Sequence, residues 1–260
     1  MKYDIFYIDA FTDKLFTGNP AAVIFSDLID PALMQNIAAE NNLSETAFIR
    51  EDNGIYYIRW FSPYCEIDLC GHATLASAYV FFNFIKPEEK VFNVHSLKNG
   101  ILKVTQNNEL LFLDFPSDQL QLFDQISLIE SAIGLKPIEA FKGRDDVLAI
   151  LESEDAIKNL NVDFESLNQI DCRGLIVSSK GNNYDFVSRF FAPATGVDED
   201  PVTGSAHTTL TPYWSQKLDK KNLVAAQLST RGGVLYCEDK EERTIIGGKA
   251  TLYLKGKIFI

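Results

Sequence analysis

A chain of 260 residues with 46% hydrophobic side chains is long enough for one large domain or two modest ones. Its formal net charge of −12, with no stretch that concentrates Lys or Arg, excludes nucleic acid as an expected partner, because affinity for a polyanion comes from cations that displace counterions. The longest nearly apolar run, 75–85, is broken by Ser77 and Asn83 and is too short to cross a bilayer. The opening Met1-Lys2-Tyr3-Asp4 lacks a signal-peptide core, so no membrane partner and a cytoplasmic location are expected.

Plentiful Phe (19) and Tyr (10) suit packed β-strands. In chain order, strands are expected over 3–9 and 22–25, with a tight turn at Gly18-Asn19-Pro20 before the second. Asp30-Pro31 then starts a helix, with the carboxylate as N-cap and proline where no backbone donor is needed. Leu33, Met34, Ile37 and Ala38 share one face of it, and Asn41-Asn42 can end it in a left-handed turn. Strands at 46–50 and 56–61 follow. From Gly71 to Phe84 the apolar residues point in almost every direction around a helix, which predicts a buried central helix wrapped by strands. A strand at 91–96, a hairpin of 101–105 with 110–115 across Asn107-Asn108, and a linker at 116–120 complete the first half. Later strands are expected at 147–151, 174–178, 185–191, 225–230, 234–238 and 243–254.

An internal repeat organises these elements. Arg59-Trp60-Phe61-Ser62-Pro63 resembles Arg189-Phe190-Phe191-Ala192-Pro193, which lies 130 positions later. Each block is a strand leading to proline, then an acidic loop, then a glycine that opens a helix. Cys70-Gly71-His72-Ala73 matches Thr203-Gly204-Ser205-Ala206 if the second loop is three residues longer. Such self-similarity implies duplicated modules. The expected architecture is α+β with two pseudo-symmetric domains, 1–117 and 118–260, the final strands being free to return to the first domain. Pro212 should kink or shorten the second helix.

If the two units face each other across a pseudo-twofold, both helix N-termini point into a shared cleft and suit an anionic ligand such as a carboxylate. Gly71 and Gly204 would let that ligand approach the backbone, His72 and Ser205 would add side-chain hydrogen bonds, and Asn19 can reach the ligand from its turn. Glu45 shares an alternating strand face with Leu43 and Ala47. A carboxyl group on an apolar face has its pKa raised by desolvation, as a general acid/base at neutral pH requires. Taken alone, Glu45 also reads as a solvated edge charge, and Asp200 as a cap of the second helix. His95 reads as structural, while His207 either lines the cleft or packs. Cys65, Cys70, Cys172 and Cys237 form no paired knuckle, the three histidines are dispersed, and no glycine cluster has dinucleotide spacing, so neither metal nor cofactor is expected.

Four segments taken in order, Phe16 to Val23, Asn42 to Phe48, Phe61 to Ala76 and Phe191 to His207, resemble the phenazine-biosynthesis PhzF-like family. Arg231-Gly232-Gly233 extends the likeness toward the end of the chain. The resemblance implies the fold of diaminopimelate epimerase, two related domains that are each a β-barrel-like sheet around a central helix. It also implies a homodimer and a cleft active site without cofactor. In it, Glu45 falls on the proton-transferring glutamate, and His72, Asp200 and Ser205 fall on the other polar positions. The best-known member isomerises a dihydro-hydroxyanthranilate, moving a proton from ring carbon to ring carbon. Epimerases of this fold resemble two-base machines with a cysteine at each helix start. Here the counterpart of Cys70 is Thr203, too weak an acid to replace a thiol, so Cys70 is read as a small residue filling the helix entrance. The expected function is a cofactor-independent isomerase of a small, carboxylate-bearing metabolite. The alternatives are an epimerase or racemase of the same fold, or a non-catalytic small-molecule-binding protein on this scaffold.

Overall fold

The first strand, β1 (Lys2–Ala10), pairs antiparallel with β2 (Asn19–Phe25) in a computed structural model that describes residues 1–260. The chain can turn back only because residue 18 is glycine. Its φ is +70°, and a Cβ there would lie 2.2 Å from the Ala10 carbonyl oxygen. Helix α1 (Pro31–Asn41) begins as expected, the Asp30 carboxylate accepting from the Ala32 N–H, and ends with Asn42 in the left-handed conformation. It buries Met34, Ile37 and Ala38 against Ile24, Phe48 and Phe61. The crossover returns β3 (Glu45–Asp52) parallel to β2, and β4 (Ile55–Phe61) pairs antiparallel with β3.

After the two-residue β5 (Glu66–Ile67) comes α2 (Gly71–Val80), with eight of its ten residues buried. The buried central helix ends sooner than its composition suggests. A π-helical turn over Phe81–Ile85 keeps Phe81 and Phe82 inside and leaves Phe84 exposed. Strand β6 (Val91–Ser96) lies parallel to β4, and β7 (Gly100–Asn107) pairs with β8 (Leu110–Pro116) across a turn with Asn108 at φ 54°.

The second half opens with β9 (Gln121–Leu122), α3 (Ile126–Ile133), β10 (Glu139–Lys142) and β11 (Asp146–Ile150). Short helices α4 (Glu154–Lys158) and α5 (Phe164–Leu167) precede β12 (Gly174–Lys180), which lies parallel to β11 and antiparallel to β13 (Phe186–Phe191). Ile129, Ile133, Ile157 and Leu167 from the three helices cluster with Leu175, Val177 and Phe191 from the strands. Helix α6 (Ala206–Leu218) follows, then β14 (Asn222–Gln227), β15 (Gly233–Lys240), β16 (Arg243–Gly248) and β17 (Ala250–Phe259). The single strand expected at 243–254 is therefore two. The last of them leaves its neighbours and pairs antiparallel with β1 along its whole length.

Two compact units result, Met1–Asp114 with Gly247–Ile260 and Phe115–Ile246. In the second unit Pro212 neither ends nor shortens its helix, which at 13 residues is longer than α2 at 10. Proline cannot donate to the carbonyl four residues back. That carbonyl, on Thr208, accepts instead from the Asp118 N–H at 3.1 Å, so the lost helical bond is replaced. No helix is long and apolar enough to cross a membrane.

Candidate active site

The expected alternation around Glu45 is absent. Thr46, Ala47, Phe48 and Ile49 are all buried, because β3 runs between β2 and β4 and is covered on both faces. Glu45, at the start of the strand and half-buried, looks onto an imidazole rather than an apolar face. Its neighbour in the parallel ladder is Ala21, so Asn19 lies one pleat away on the same face, fully buried.

The imidazole comes from the first turn of α2. His72 Nε2 lies 2.9 Å from Glu45 Oε2, within ion-pair range, yet both atoms are buried and neither has an aligned hydrogen-bond partner. On the other side of the ring, Cys70 Sγ lies 3.5 Å from His72 Nδ1. Burial alone would strip the proton from His72. The acidic groups flanking it, Cys70 and Glu45, outweigh burial and hold its pKa well above 6.5. Burial pushes the Cys70 thiol up, and Glu45 adds to that effect, so the thiol keeps its proton at neutral pH. Cys70 is more than a space-filler at the helix entrance, since its sulfur packs on the histidine.

Sequence spacing gave no hint of a metal cluster, but Glu45, Cys70 and His72 bring three potential ligand atoms within 4.8 Å of one another. The order is thiol, imidazole, carboxylate, with Nδ1 toward sulfur and Nε2 toward the carboxylate. Cys70 Sγ and a Glu45 carboxylate oxygen are themselves within 4.8 Å, so the three groups converge on one small volume.

The repeat is carried by side chains as well as by backbone. In the first unit the Arg59 guanidinium grips Glu66 through two hydrogen bonds of 2.7 Å each, over the ring of Phe61. In the second, Arg189 grips Glu199 at 2.6 and 3.0 Å, over Phe191. Each pair clamps the acidic loop that leads to the helix. The first turns correspond too: Thr74 Oγ1 donates to the Cys70 carbonyl at 2.5 Å, and His207 Nδ1 donates to the Thr203 carbonyl at 2.8 Å. His207 is fully buried, so of its two expected roles, lining or packing, it packs.

In the second unit Asp200 does not cap the helix. Thr203 Oγ1 donates to its carboxylate at 2.5 Å, and Gln227 ties the turn by donating to the Asp200 carbonyl at 2.7 Å and accepting from the Thr203 N–H at 2.8 Å. Gly204 is buried, and Ser205 at the N-cap of α6 is half-buried. Ser205 Oγ accepts from Arg173, whose guanidinium is held by Asp146. Sequence reasoning missed Gln227, Arg173 and Asp146. They lie outside the motifs, and only strand pairing brings them to the turn.

Register also identifies what stands opposite Glu45 in the repeat. Phe61 faces Thr46 across the ladder, and its counterpart Phe191 faces Leu175, so Glu45 corresponds to Gly174. The parallel ladders agree, with Ala21 beside Glu45 and Asp146 beside Gly174. A Cβ at Gly174 would lie 2.4 Å from the Phe190 ring, so no side chain fits there. One half carries a carboxylate at this position and the other carries none.

Similarity to known proteins agrees with this architecture. The family described as phenazine biosynthesis-like protein matches residues 8–256. An uncharacterized isomerase of Pseudomonas aeruginosa is 45% identical over 260 residues, covering 99% of both chains. A phenazine biosynthesis protein of the PhzF family from Enterococcus faecalis superposes with a TM-score of 0.96 at 45% identity, covering all of both chains. A hydroxyproline epimerase from Agrobacterium vitis shares the fold alone, with a TM-score of 0.64 at 8% identity over 99% of this chain and 92% of its own.

The fold is therefore the α+β type of the diaminopimelate and proline epimerases, and several relatives of the chain are named as uncharacterized isomerases. Within that class, the chain belongs to the phenazine biosynthesis-like, or PhzF, family.

Proposed function

We propose that the protein is an isomerase that moves a proton between two carbons of a small, carboxylate-bearing metabolite, with Glu45 as the single acid/base and no cofactor. The observation that carries the reading is the buried Glu45 Oε2, which has no aligned hydrogen-bond partner and lies 2.9 Å from His72. Burying a carboxylate beside an imidazole costs desolvation that one poorly aligned ion pair only partly offsets, which supports a role beyond holding the fold. Glu45 takes the proton from carbon as a carboxylate and returns it, as the acid, to a second carbon. His72, kept protonated, steadies the carboxylate between the two events. Gly71 and Asn19 bind and orient the substrate in the unit of Glu45, and Asp200, Gly204 and Ser205 are the ligand-binding positions of the second unit.

A two-base epimerase is the weaker reading. The counterpart of Cys70 is Thr203, whose hydroxyl is already bonded to Asp200, and the counterpart of Glu45 is Gly174. A binding protein without catalysis would have little use for a buried carboxylate–imidazole pair held without an aligned hydrogen bond. The family resemblance adds a homodimer, which light scattering tests.

The experiment is solvent-deuterium incorporation. Small ring and chain carboxylates are incubated with the protein in D2O and read by mass spectrometry. Wild type should label at least one of them at carbon, and Glu45→Gln should not. General acid/base groups contribute about 10²- to 10⁴-fold, so a loss below about tenfold would remove Glu45 from the role.

A further inference from the structure

At the position where the first unit holds Glu45 the second has a glycine, and the residues around that glycine carry a different device. Asp146, the ladder neighbour of Gly174, is 3% exposed. Arg173, one residue before Gly174, donates Nε–H to Asp146 Oδ1 at 2.8 Å and an Nη2–H to Oδ2 of the same carboxylate. The guanidinium lies over the Phe190 ring, 5.4 Å from its centroid. Two bonds and a ring face thus fix it in position and orientation. From that fixed position Nη2 also donates to Ser205 Oγ at 3.0 Å.

The direction of this last bond has a chemical consequence. Guanidinium has only donors, so Ser205 Oγ must act as the acceptor. The serine hydroxyl hydrogen is then turned away from Arg173 and is free to donate. Arg173 Nη1 makes no hydrogen bond of its own, and the side chain is 37% exposed, so a second donor stands beside the serine. An oxygen acceptor on the ligand would meet both.

We propose that Arg173, anchored by Asp146, is a positioning residue that fixes Ser205 as a hydrogen-bond donor to a carboxylate oxygen of the substrate. The proposal rests on the reading of Ser205 as a substrate-binding residue. It adds the residue that sets the serine's polarity, and with it the kind of group the serine receives. The two equivalent strand starts then have different tasks: one supplies a carboxylate to take a proton, the other the arginine that orients a serine donor.

The test uses acetate, benzoate and oxalate as probes with the full-length protein. Carboxylate binding is followed by NMR, through the Arg173 Nε–H and the Ser205 amide, and by titration calorimetry. Wild type should bind at least one probe with saturable shifts at both positions. Ser205→Ala and Arg173→Met should each weaken that binding about tenfold or more, as expected for loss of a charge-assisted hydrogen bond. Arg173→Lys, which keeps the charge but not the fork, should fall between wild type and Arg173→Met. Amide spectra and thermal unfolding of each variant verify the fold.

A merely structural Arg173 predicts lower thermal stability with unchanged carboxylate affinity in Arg173→Met, and that result overturns the proposal. So does the absence of saturable shifts at Arg173 and Ser205 with all three probes. No proton is transferred in these measurements, so their failure leaves the Glu45 reading standing, and failure of the deuterium experiment leaves this proposal standing.

Discussion

His207 makes the structure testable without any substrate. Its ring is completely buried, its Nδ1–H is given to the Thr203 carbonyl, and burial lowers its pKa from 6.5 to about 4, against a smaller opposing effect of that hydrogen bond. The unfolded chain therefore binds a proton at this residue near pH 6.5, while the folded chain resists until about pH 4. The stability His207 contributes is intact above pH 6.5 and is lost as the pH falls toward 4. Between pH 7 and 4.5 the loss from this one group is about 2–3 kcal/mol, because each tenfold difference in proton affinity between the folded and unfolded chain is worth roughly 1.4 kcal/mol. Urea unfolding of wild type and His207→Gln at the two pH values isolates the effect. The amide can still donate to the Thr203 carbonyl, but it does not titrate. The variant will be less stable at pH 7, and its drop between pH 7 and 4.5 should be smaller than that of wild type by about 2–3 kcal/mol. Equal drops in the two proteins would refute the assignment of a neutral, buried His207.

His72 should behave oppositely. Its raised folded pKa means that its stabilisation is complete below pH 6.5 and is lost as the pH rises through the folded value, so NMR should find it protonated through neutrality, with a lower pKa in Glu45→Gln. The two loop clamps should differ in strength. Arg189 also donates to the Ile157 and Leu160 carbonyls and is better buried, so Arg189→Met should cost about 3 kcal/mol, whereas the more exposed Arg59→Met should cost about 1 kcal/mol in the same denaturation assay.

Much of the fold was legible because it depends on local signals. Asp30-Pro31 and Asn42 mark the ends of α1, the all-round apolar run marks α2, and the repeated Arg-x-Phe-x-Pro blocks mark two equivalent strand–loop–helix units. The short helices α3, α4 and α5 escaped notice, although Ser153 and Asp163 are serviceable N-caps, because spans of four to eight residues carry too little periodicity to stand out. That Pro212 leaves its helix at full length has a different cause: the compensating Asp118 N–H comes from a segment about 90 residues earlier in the chain.

The site divided along the same line. Glu45, His72, Asp200 and Ser205 sit in motifs that can be read from the chain. What surrounds them cannot. The imidazole facing Glu45, the thiol behind it, and Arg173 with Asp146 beneath Ser205 are products of strand register and helix placement. The alternation argument for Glu45 failed because a strand covered on both faces has no polar side, and the carboxylate owes its setting to α2.

The central claim is that one carboxylate, and not a thiol, carries the proton. The most direct measurement compares wild type, Glu45→Gln and Cys70→Ala side by side for solvent-deuterium incorporation into a labelled carboxylate. Cys70→Ala should retain most of the wild-type rate, while Glu45→Gln should lose about 10²-fold or more. Complete inactivation of a folded Cys70→Ala, with label still entering through Glu45→Gln, would contradict the account and return the site to thiol chemistry.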